Sequence, residues 1–271
     1  MGELARAVEI EGPCVHSGGF GIVRIEPYEP GAYFRLTPHE APQQLSPANY
    51  RPEFLTSAVI DRANRAALCP EHVLSSCLLV GMSGFCVTRV SGPYEFPVGP
   101  TDRSYVEILL EQTGVPAAVP TGVRIKSDIS RHVDGSDTYW SAVRSGSPTL
   151  NVSWQHDGGA AVSGIDRYPT LEDIVSIGSS RGFIRSADVA GLQRRGRLLG
   201  AKDAGRWLQL VPGDKLSPGI LAECARHKLY DLLGDMCALG GMPFGLLEVA
   251  QPGHAVNDLI RETLVKQSEG N

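Results

Sequence analysis

The sequence predicts an α+β fold arranged as two similar layered halves. Three observations point there. The 271 residues suit one large domain or two modest ones. The same order of elements, strands then helix then strand then helix, is legible on both sides of Gly114 to Pro120, a stretch of small residues and prolines without charge. No alternating strand–helix series with a Gly-rich phosphate loop is present: there is no G-x-G-x-x-G and no Walker motif.

The elements follow in order. Phe20 to Glu26 alternates apolar and polar residues and stops at Pro27, as a half-buried strand does. Tyr33 to Leu36 reads as a second short strand before Pro38. Pro70 is a favoured first-turn residue, so a helix is expected from there to Leu79, closed in the Gly81 to Gly84 region. Phe85 to Val90 reads as a strand and Tyr105 to Gln112 as a helix ended by Gly114. After the linker, strands are expected near 122–126, 138–143, 149–153 and 160–164, then a helix from Thr170 to Ile177 and a mixed segment. A long helix should run from Pro218 to Leu239, followed by a strand from Phe244 to Ala250 and a helix from Ala255 to Lys266. The expected domains are therefore 1–114 and 121–271. The recurrence lies in element order; no residue-level repeat is visible.

Composition narrows the function classes. Apolar residues make up 42% and charged residues 20%, ordinary globular usage that can bury a core without disulfides. A net charge of −5 argues against nucleic acid as a partner, because phosphate recognition needs a basic surface. The longest apolar stretch, Val80 to Val90, is interrupted by Gly, Ser, Thr and Arg and falls short of the ~20 residues of a membrane span. Met1 to Ile10 carries Glu3, Arg6 and Glu9 and no apolar core, so no signal peptide is expected. The six cysteines contain no Cys-x-x-Cys pair, which fits reduced, buried thiols in a cytoplasmic protein.

Chemistry concentrates in Arg226 to Asp235. At 100° per residue, Leu221, Ala225, Leu229, Leu232, Leu233 and Met236 share one side of the helix, and His227, Asp231 and Asp235 fall nearly opposite. A His and an Asp at i, i+4 can share one divalent ion; the alternative is a solvated polar face with a local His–Asp hydrogen bond. Glu71-His72 lies at a helix start in the other half, and Gly253-His254 lies just before the last helix. A zinc hydrolase needs about three protein ligands, a base and a proton donor. His72, His227 and Asp231 suit the ligands, Glu71 the base and His254 the donor to a leaving amine, provided that the two halves meet. His39, His132 and His156 read as solvated loop residues, and His16 as a turn residue bonded to its neighbours. No G-x-S-x-G elbow is present, so a serine hydrolase has no anchor. Gln193 to Arg197 is a local basic cluster, a solvated turn that can also attract an anionic headgroup.

Arg226-His227-Lys228-Leu229-Tyr230-Asp231-Leu232-Leu233-Gly234-Asp235 resembles the R/K-H-K-x-x-D-x-x-G-D signature of the UDP-3-O-acyl-N-acetylglucosamine deacetylases, the zinc amidases of lipid A biosynthesis. Gly253-His254-Ala255-Val256-Asn257 is similar to that family's G-H-A-x-N segment, Pro70-Glu71-His72-Val73-Leu74 to its V-E-H-L-x segment, and Val15-His16-Ser17-Gly18 to its L-H-S-G turn. The four matches run in family order over almost the whole chain. The resemblance implies two layered α/β sandwich domains, each a small mixed sheet with helices, with the active site between them.

It implies a Zn2+ cofactor held by His72, His227 and Asp231, with Glu71 as general base. His254 would be a protonated acid steadied by Asp235, and Ser180 would contact the oxyanion where the family has threonine. Lys228 and Phe183 would meet the substrate, Lys228 on its diphosphate side. The implied partner is a UDP-linked acylated amino sugar, with no membrane span and with peripheral contact with lipid. The chain also departs from the family. Gly99 to Ser104 replaces its D-G-S segment, and Arg181 stands where an aromatic is usual. Ile184 to Trp207, where the family lines its acyl passage, carries Arg185, Arg194, Arg195 and Arg197. These departures leave two alternatives open: the same centre acting on a different N-acylated sugar or lipid, or a non-catalytic paralogue that binds such a ligand.

Overall fold

The computed structural model describes residues 4–99, 103–133, 135–200 and 207–269. Pro100, Thr101 and Asp102 of the departed first-half segment, and residues 201–206 of the stretch before Trp207, lie outside the described residues.

The chain begins with strands β1 (Val8–Pro13), β2 (Phe20–Pro27), β3 (Gly31–Arg35) and β4 (Gln43–Gln44), then β5 (Tyr50–Glu53), β6 (Thr56–Ile60) and β7 (Ala66–Leu68). Helix α1 (Pro70–Leu79), strand β8 (Gly84–Ser91) and helix α2 (Tyr105–Thr113) complete the first half. The second half contains β9 (Thr121–Arg124), β10 (Ile129–His132), β11 (Tyr139–Val143), β12 (Thr149–His156), β13 (Gly159–Asp166) and α3 (Leu171–Gly178). Next come β14 (Gly182–Arg185), α4 (Ser186–Arg194), β15 (Trp207–Leu210) and α5 (Pro218–Met236). β16 (Met242–Phe244), β17 (Leu246–Ala250) and α6 (His254–Glu269) end the chain.

Two five-stranded mixed sheets carry the architecture, ordered β1-β2-β8-β3-β4 and β10-β11-β17-β12-β13. They share strand sense as well as order. In each, the last strand of the half sits in the centre, antiparallel to the second (β2·β8, β11·β17) and parallel to the third (β3·β8, β12·β17). Equivalent helices precede and follow that central strand: α1 and α2 in one half, α5 and α6 in the other. Each half also carries an insertion: the three-stranded sheet β5-β6-β7 before α1, and the parallel pair β14-β15 with α4 before α5.

The helices form the inner layer. α1 packs on α5 as well as on α2 and α3, and all ten of its residues are buried. Val73, Leu74, Leu78 and Leu79 join Leu229, Leu232 and Leu233 of α5 in one apolar core that draws on both halves. Each such side chain contributes about 1.5–3 kcal/mol on leaving water. The polar residues of this buried helix are paired. Ser76 donates to the His72 carbonyl at 2.9 Å, and Ser75 donates to the Tyr230 carbonyl on α5.

Two expectations need correction. The strand expected from Phe244 to Ala250 is two strands, because Gly245 at φ +144° turns the chain between β16 and β17. A Cβ there would lie 2.8 Å from the Val143 carbonyl oxygen. The other correction concerns His156, expected as solvated: its side chain is only 7% exposed and stacks on Trp154 at 5.7 Å.

Candidate metal centre and catalytic cluster

α5 begins at Ser217, whose hydroxyl accepts from the Ile220 N–H, with Pro218 in the first turn. Its apolar side enters the core. Its polar stripe is buried too: His227, Asp231 and Asp235 are 5%, 3% and 0% exposed, so the solvated-face alternative is overturned. The reason is the crossing of α1. Gly234 lets that helix approach so closely that a Cβ on residue 234 would lie 2.2 Å from the Glu71 carbonyl oxygen. The Tyr230 hydroxyl donates to the His72 carbonyl at 2.8 Å, and its ring stacks on the His72 imidazole. The two halves therefore meet at the first turn of α1, where Glu71 and His72 stand.

His72 Nε2 lies 3.3 Å from Asp231 Oδ1, and His227 Nε2 lies 3.4 Å from the same oxygen. Ligand atoms of all three residues fall within 4.8 Å of one another, a group able to hold a metal ion. Ligands ~2.0–2.1 Å from a tetrahedral ion stand roughly 3.3 Å apart, so the spacing fits. Two imidazoles and one carboxylate also match the donor set of open, catalytic sites. The other Asp231 oxygen is taken by Lys228 Nζ at 3.2 Å, which leaves Oδ1 to face the histidines. Burial pushes the His227 pKa down to about 4, so its ring is neutral, as a ligand must be. His227 Nδ1 points at the Ser180 carbonyl, 3.3 Å away, which places the proton on Nδ1 and frees Nε2.

A second cluster adjoins the first. Glu71 Oε1 accepts the Thr56 hydroxyl at 2.6 Å, and Oε2 accepts the Ser57 backbone N–H at 3.3 Å. Burial raises the pKa of this carboxyl. His254, at the start of α6, lies with Nε2 4.0 Å from Glu71 Oε1 and Nδ1 2.9 Å from Asp235 Oδ2. Burial opposes charge on this ring, but the Asp235 carboxylate outweighs it, and the pKa rises to about 9. Asp235 is fully buried. It accepts from Tyr50 and Ser57 on Oδ1 and from Asn257 and His254 on Oδ2, with all four distances between 2.7 and 2.9 Å. Those donors hold its pKa below the usual range against the cost of burial.

The clusters open onto a cavity of about 380 Å3. Glu71, His72, His227, Asp231 and His254 line its polar side, together with Lys228 and Phe183. Phe54, Leu55, Val98, Ile184, Leu198 and Trp207 line its apolar side. His16, read from sequence as a turn residue, is 4% exposed and also lines the cavity. Ser180 is not brought to the lining: its hydroxyl donates to the Ile177 carbonyl at 2.5 Å, and it meets the site through its own carbonyl.

Sequence reasoning gave no role to Thr56 and Ser57 of β6, to Tyr50 of β5, or to Asn257 and Arg261 of α6. Asn257 and Arg261 follow His254 at i+3 and i+7, a helical spacing that carries a signal. Arg261, 1% exposed, donates to the Tyr50 carbonyl at 2.8 Å. Thr56, Ser57 and Tyr50 arrive from an insertion whose short strands carry none.

Residues 2–266 match the family described as LpxC: UDP-3-O-acyl N-acetylglycosamine deacetylase. The UDP-3-O-acyl-N-acetylglucosamine deacetylase of Thioalkalivibrio sulfidiphilus is 23% identical over 290 residues, covering 98% of this chain and 90% of that one. The protein of the same name from Leptospira biflexa is 25% identical over 289 residues, covering 99% and 90%. The bifunctional enzyme LpxC/FabZ of Bacteroides thetaiotaomicron is 24% identical over 229 residues, 73% of this chain, which spans about half of that longer protein. With nearly its whole length matched, the chain belongs to the LpxC family of UDP-3-O-acyl N-acetylglycosamine deacetylases.

Proposed function

We propose that this protein is a cytoplasmic, zinc-dependent hydrolase that removes the acetyl group from the nitrogen of a UDP-linked, 3-O-acylated N-acetylglucosamine. One observation carries the reading: a buried carboxylate and a buried imidazole stand 4.0 Å apart beside a two-histidine, one-carboxylate cluster, at the wall of one cavity. His72, His227 and Asp231 would hold the zinc. When bound, it supplies a Lewis acid that polarises the amide carbonyl and acidifies water.

Glu71 takes the proton of the attacking water. Thr56 orients its carboxylate, and a pKa raised by burial moves it towards the operating pH, where a general base is most effective. His254, with a pKa of about 9, is an imidazolium at pH 7 and gives its Nε2 proton to the departing amine. Asp235 holds that ring through Nδ1, so the proton to be transferred is on the nitrogen that faces Glu71. Lys228 and Phe183 meet the substrate, Lys228 on its diphosphate side. Ser180 reaches the oxyanion only by rotating its hydroxyl away from the Ile177 carbonyl.

The apolar cavity wall of Phe54, Leu55, Ile184 and Leu198 suits an acyl chain. The exposed Phe54 and Leu55 on that wall, with the Arg194–Arg195 pair, suit contact with an anionic lipid surface at its mouth. Arg195 lies over the Phe54 ring at 5.9 Å, which joins the two features. The division into domains 1–114 and 121–271 belongs to the same reading, supported by the shared order and sense of the two sheets.

The test is acetate release from UDP-3-O-acyl-N-acetylglucosamine by zinc-loaded protein, with Glu71→Ala as control. The expected result is turnover by the wild type and loss of most of kcat in the variant. Turnover of another N-acylated sugar alone would move the substrate and keep the centre. No turnover of any would favour a binding paralogue.

A further inference from the structure

Arg181, which by the resemblance stands where an aromatic is usual, has no task in the proposed catalysis. We propose that Arg181 and Glu223 are a positioning pair that sets the orientation of the His227 ring and, through it, the affinity of the site for its metal. The proposal rests on His227 being a ligand.

The geometry is a short relay. Ser179, Ser180 and Arg181 form the turn between α3 and β14. The Ser180 carbonyl of that turn faces His227 Nδ1 at 3.3 Å. That bond fixes both the tautomer and the ring plane, and so aims Nε2 at the Asp231 oxygen 3.4 Å away. A carbonyl orients a ring only as well as its own turn is held.

Glu223 holds it. Glu223 precedes His227 by four residues on α5, so the two side chains leave the same helical face one turn apart. Its Oε1 accepts Arg181 Nε at 2.8 Å and the Arg181 backbone N–H at 3.1 Å, and its Oε2 accepts the Arg181 terminal nitrogen at 2.9 Å. A planar two-pronged contact of this kind fixes direction as well as distance, and a lysine cannot reproduce it. On the other side of the turn, a Cβ on Gly182 would lie 2.3 Å from the Trp207 ring, so the turn is pressed between that ring and α5. Glu223 and His227 thus grip adjacent residues of one turn.

Positioning separates from stability here. Arg181 is 41% exposed and Glu223 17% exposed at the side chain. A half-exposed ion pair contributes little to global stability, whereas outer-shell partners of a ligating histidine change metal affinity by ~10–100-fold.

The experiment has two readouts on wild type, Arg181→Ala, Arg181→Lys, Glu223→Gln and the double variant Arg181→Ala/Glu223→Gln. The first is the zinc Kd by competition with a chromophoric chelator. The second is the ring-nitrogen NMR signal of His227 in protein stripped of metal, which reports the tautomer. The expected result is a zinc Kd raised about tenfold or more in Arg181→Ala and in Glu223→Gln. The double variant should be no worse than the worse single, and Arg181→Lys should recover only part of the loss. In stripped protein, the His227 signals should move from a single Nδ1–H tautomer to a mixture. Unfolding midpoints should stay near wild type. An unchanged tautomer together with an unchanged Kd in folded Arg181→Ala would overturn the proposal, as would additive losses in the double variant. If the wild type took up no zinc, the tautomer readout would still decide the pair's role, and the zinc reading would have failed separately.

Discussion

Gly234→Ala sets two well-understood effects against each other. Alanine in the interior of a helix is favoured over glycine by about 1 kcal/mol, so on α5 alone the change is stabilising. The crossing with α1 reverses the sign. The added Cβ would lie 2.2 Å from the Glu71 carbonyl oxygen and 2.7 Å from Ser75 Oγ. Atoms in ordinary contact keep about 3.5 Å, so the helices must part by roughly 1 Å. Overpacking of this kind costs about 1–3 kcal/mol, and weakening the 2.8 Å bond from Tyr230 to the His72 carbonyl adds about 1 kcal/mol. The net expectation is about 1–3 kcal/mol of destabilisation, a fall of several degrees in Tm. The functional loss should be larger. Glu71 and His72 ride on α1 and their partners on α5, and a 1 Å misplacement of reacting groups costs about 100-fold in rate. Thermal unfolding and kcat/KM on the same preparations check both. A variant with unchanged or higher Tm and full turnover would refute the close crossing and the placement of the site on it.

Three further outcomes follow from the same geometry. The charged His254 contributes stability to metal-free protein that is fully present below its unfolded pKa of ~6.5 and is lost as pH rises through its folded value of about 9. Urea unfolding of stripped wild type should therefore weaken by up to about 3 kcal/mol between pH 6.5 and 9.5, and Asp235→Asn should flatten that slope; equal slopes would contradict the pairing. Tyr50→Phe removes one of four donors from a buried carboxylate and should cost about 1–3 kcal/mol in chemical unfolding; no cost would mean that the hydroxyl is replaced by water. Arg194→Glu/Arg195→Glu should lower co-sedimentation with anionic vesicles several-fold and leave hydrolysis of a short-chain substrate unchanged; equal sedimentation would remove the lipid contact at the cavity mouth.

What the sequence shows and hides follows from the range of the interactions. α5 is legible because its apolar residues repeat at helical spacing, and α1 because proline opens it and glycines follow it. The fate of the α5 polar stripe is not legible. His227, Asp231 and Asp235 look solvated in isolation, and what buries them comes from far along the chain: α1, the β5–β6 strands, the turn before β14 and the start of α6. Glycine at 234 permits the approach of α1, but a lone glycine inside a helix does not announce a partner. The β5–β7 insertion is silent for another reason. Tyr50-Arg51-Pro52-Glu53 has no apolar alternation, tolerates proline only because it is an edge strand, and pairs with β6 through four residues. Yet that sheet brings Tyr50, Thr56 and Ser57 to Asp235 and Glu71. Motif order locates the titratable groups; the hydroxyls and amides that orient them come from long-range packing.

In the proposed mechanism His72, His227 and Asp231 form one zinc site, with Glu71 beside it as the base and not a ligand. Zinc content per chain, measured by elemental analysis on protein purified without chelator, tests this. One zinc is expected in the wild type and in Glu71→Ala, and none in folded His72→Ala or His227→Ala. A metal-free Glu71→Ala without fold damage would make Glu71 a ligand, and a full complement of zinc in His72→Ala or His227→Ala would place the metal elsewhere; either result would rule out this zinc site.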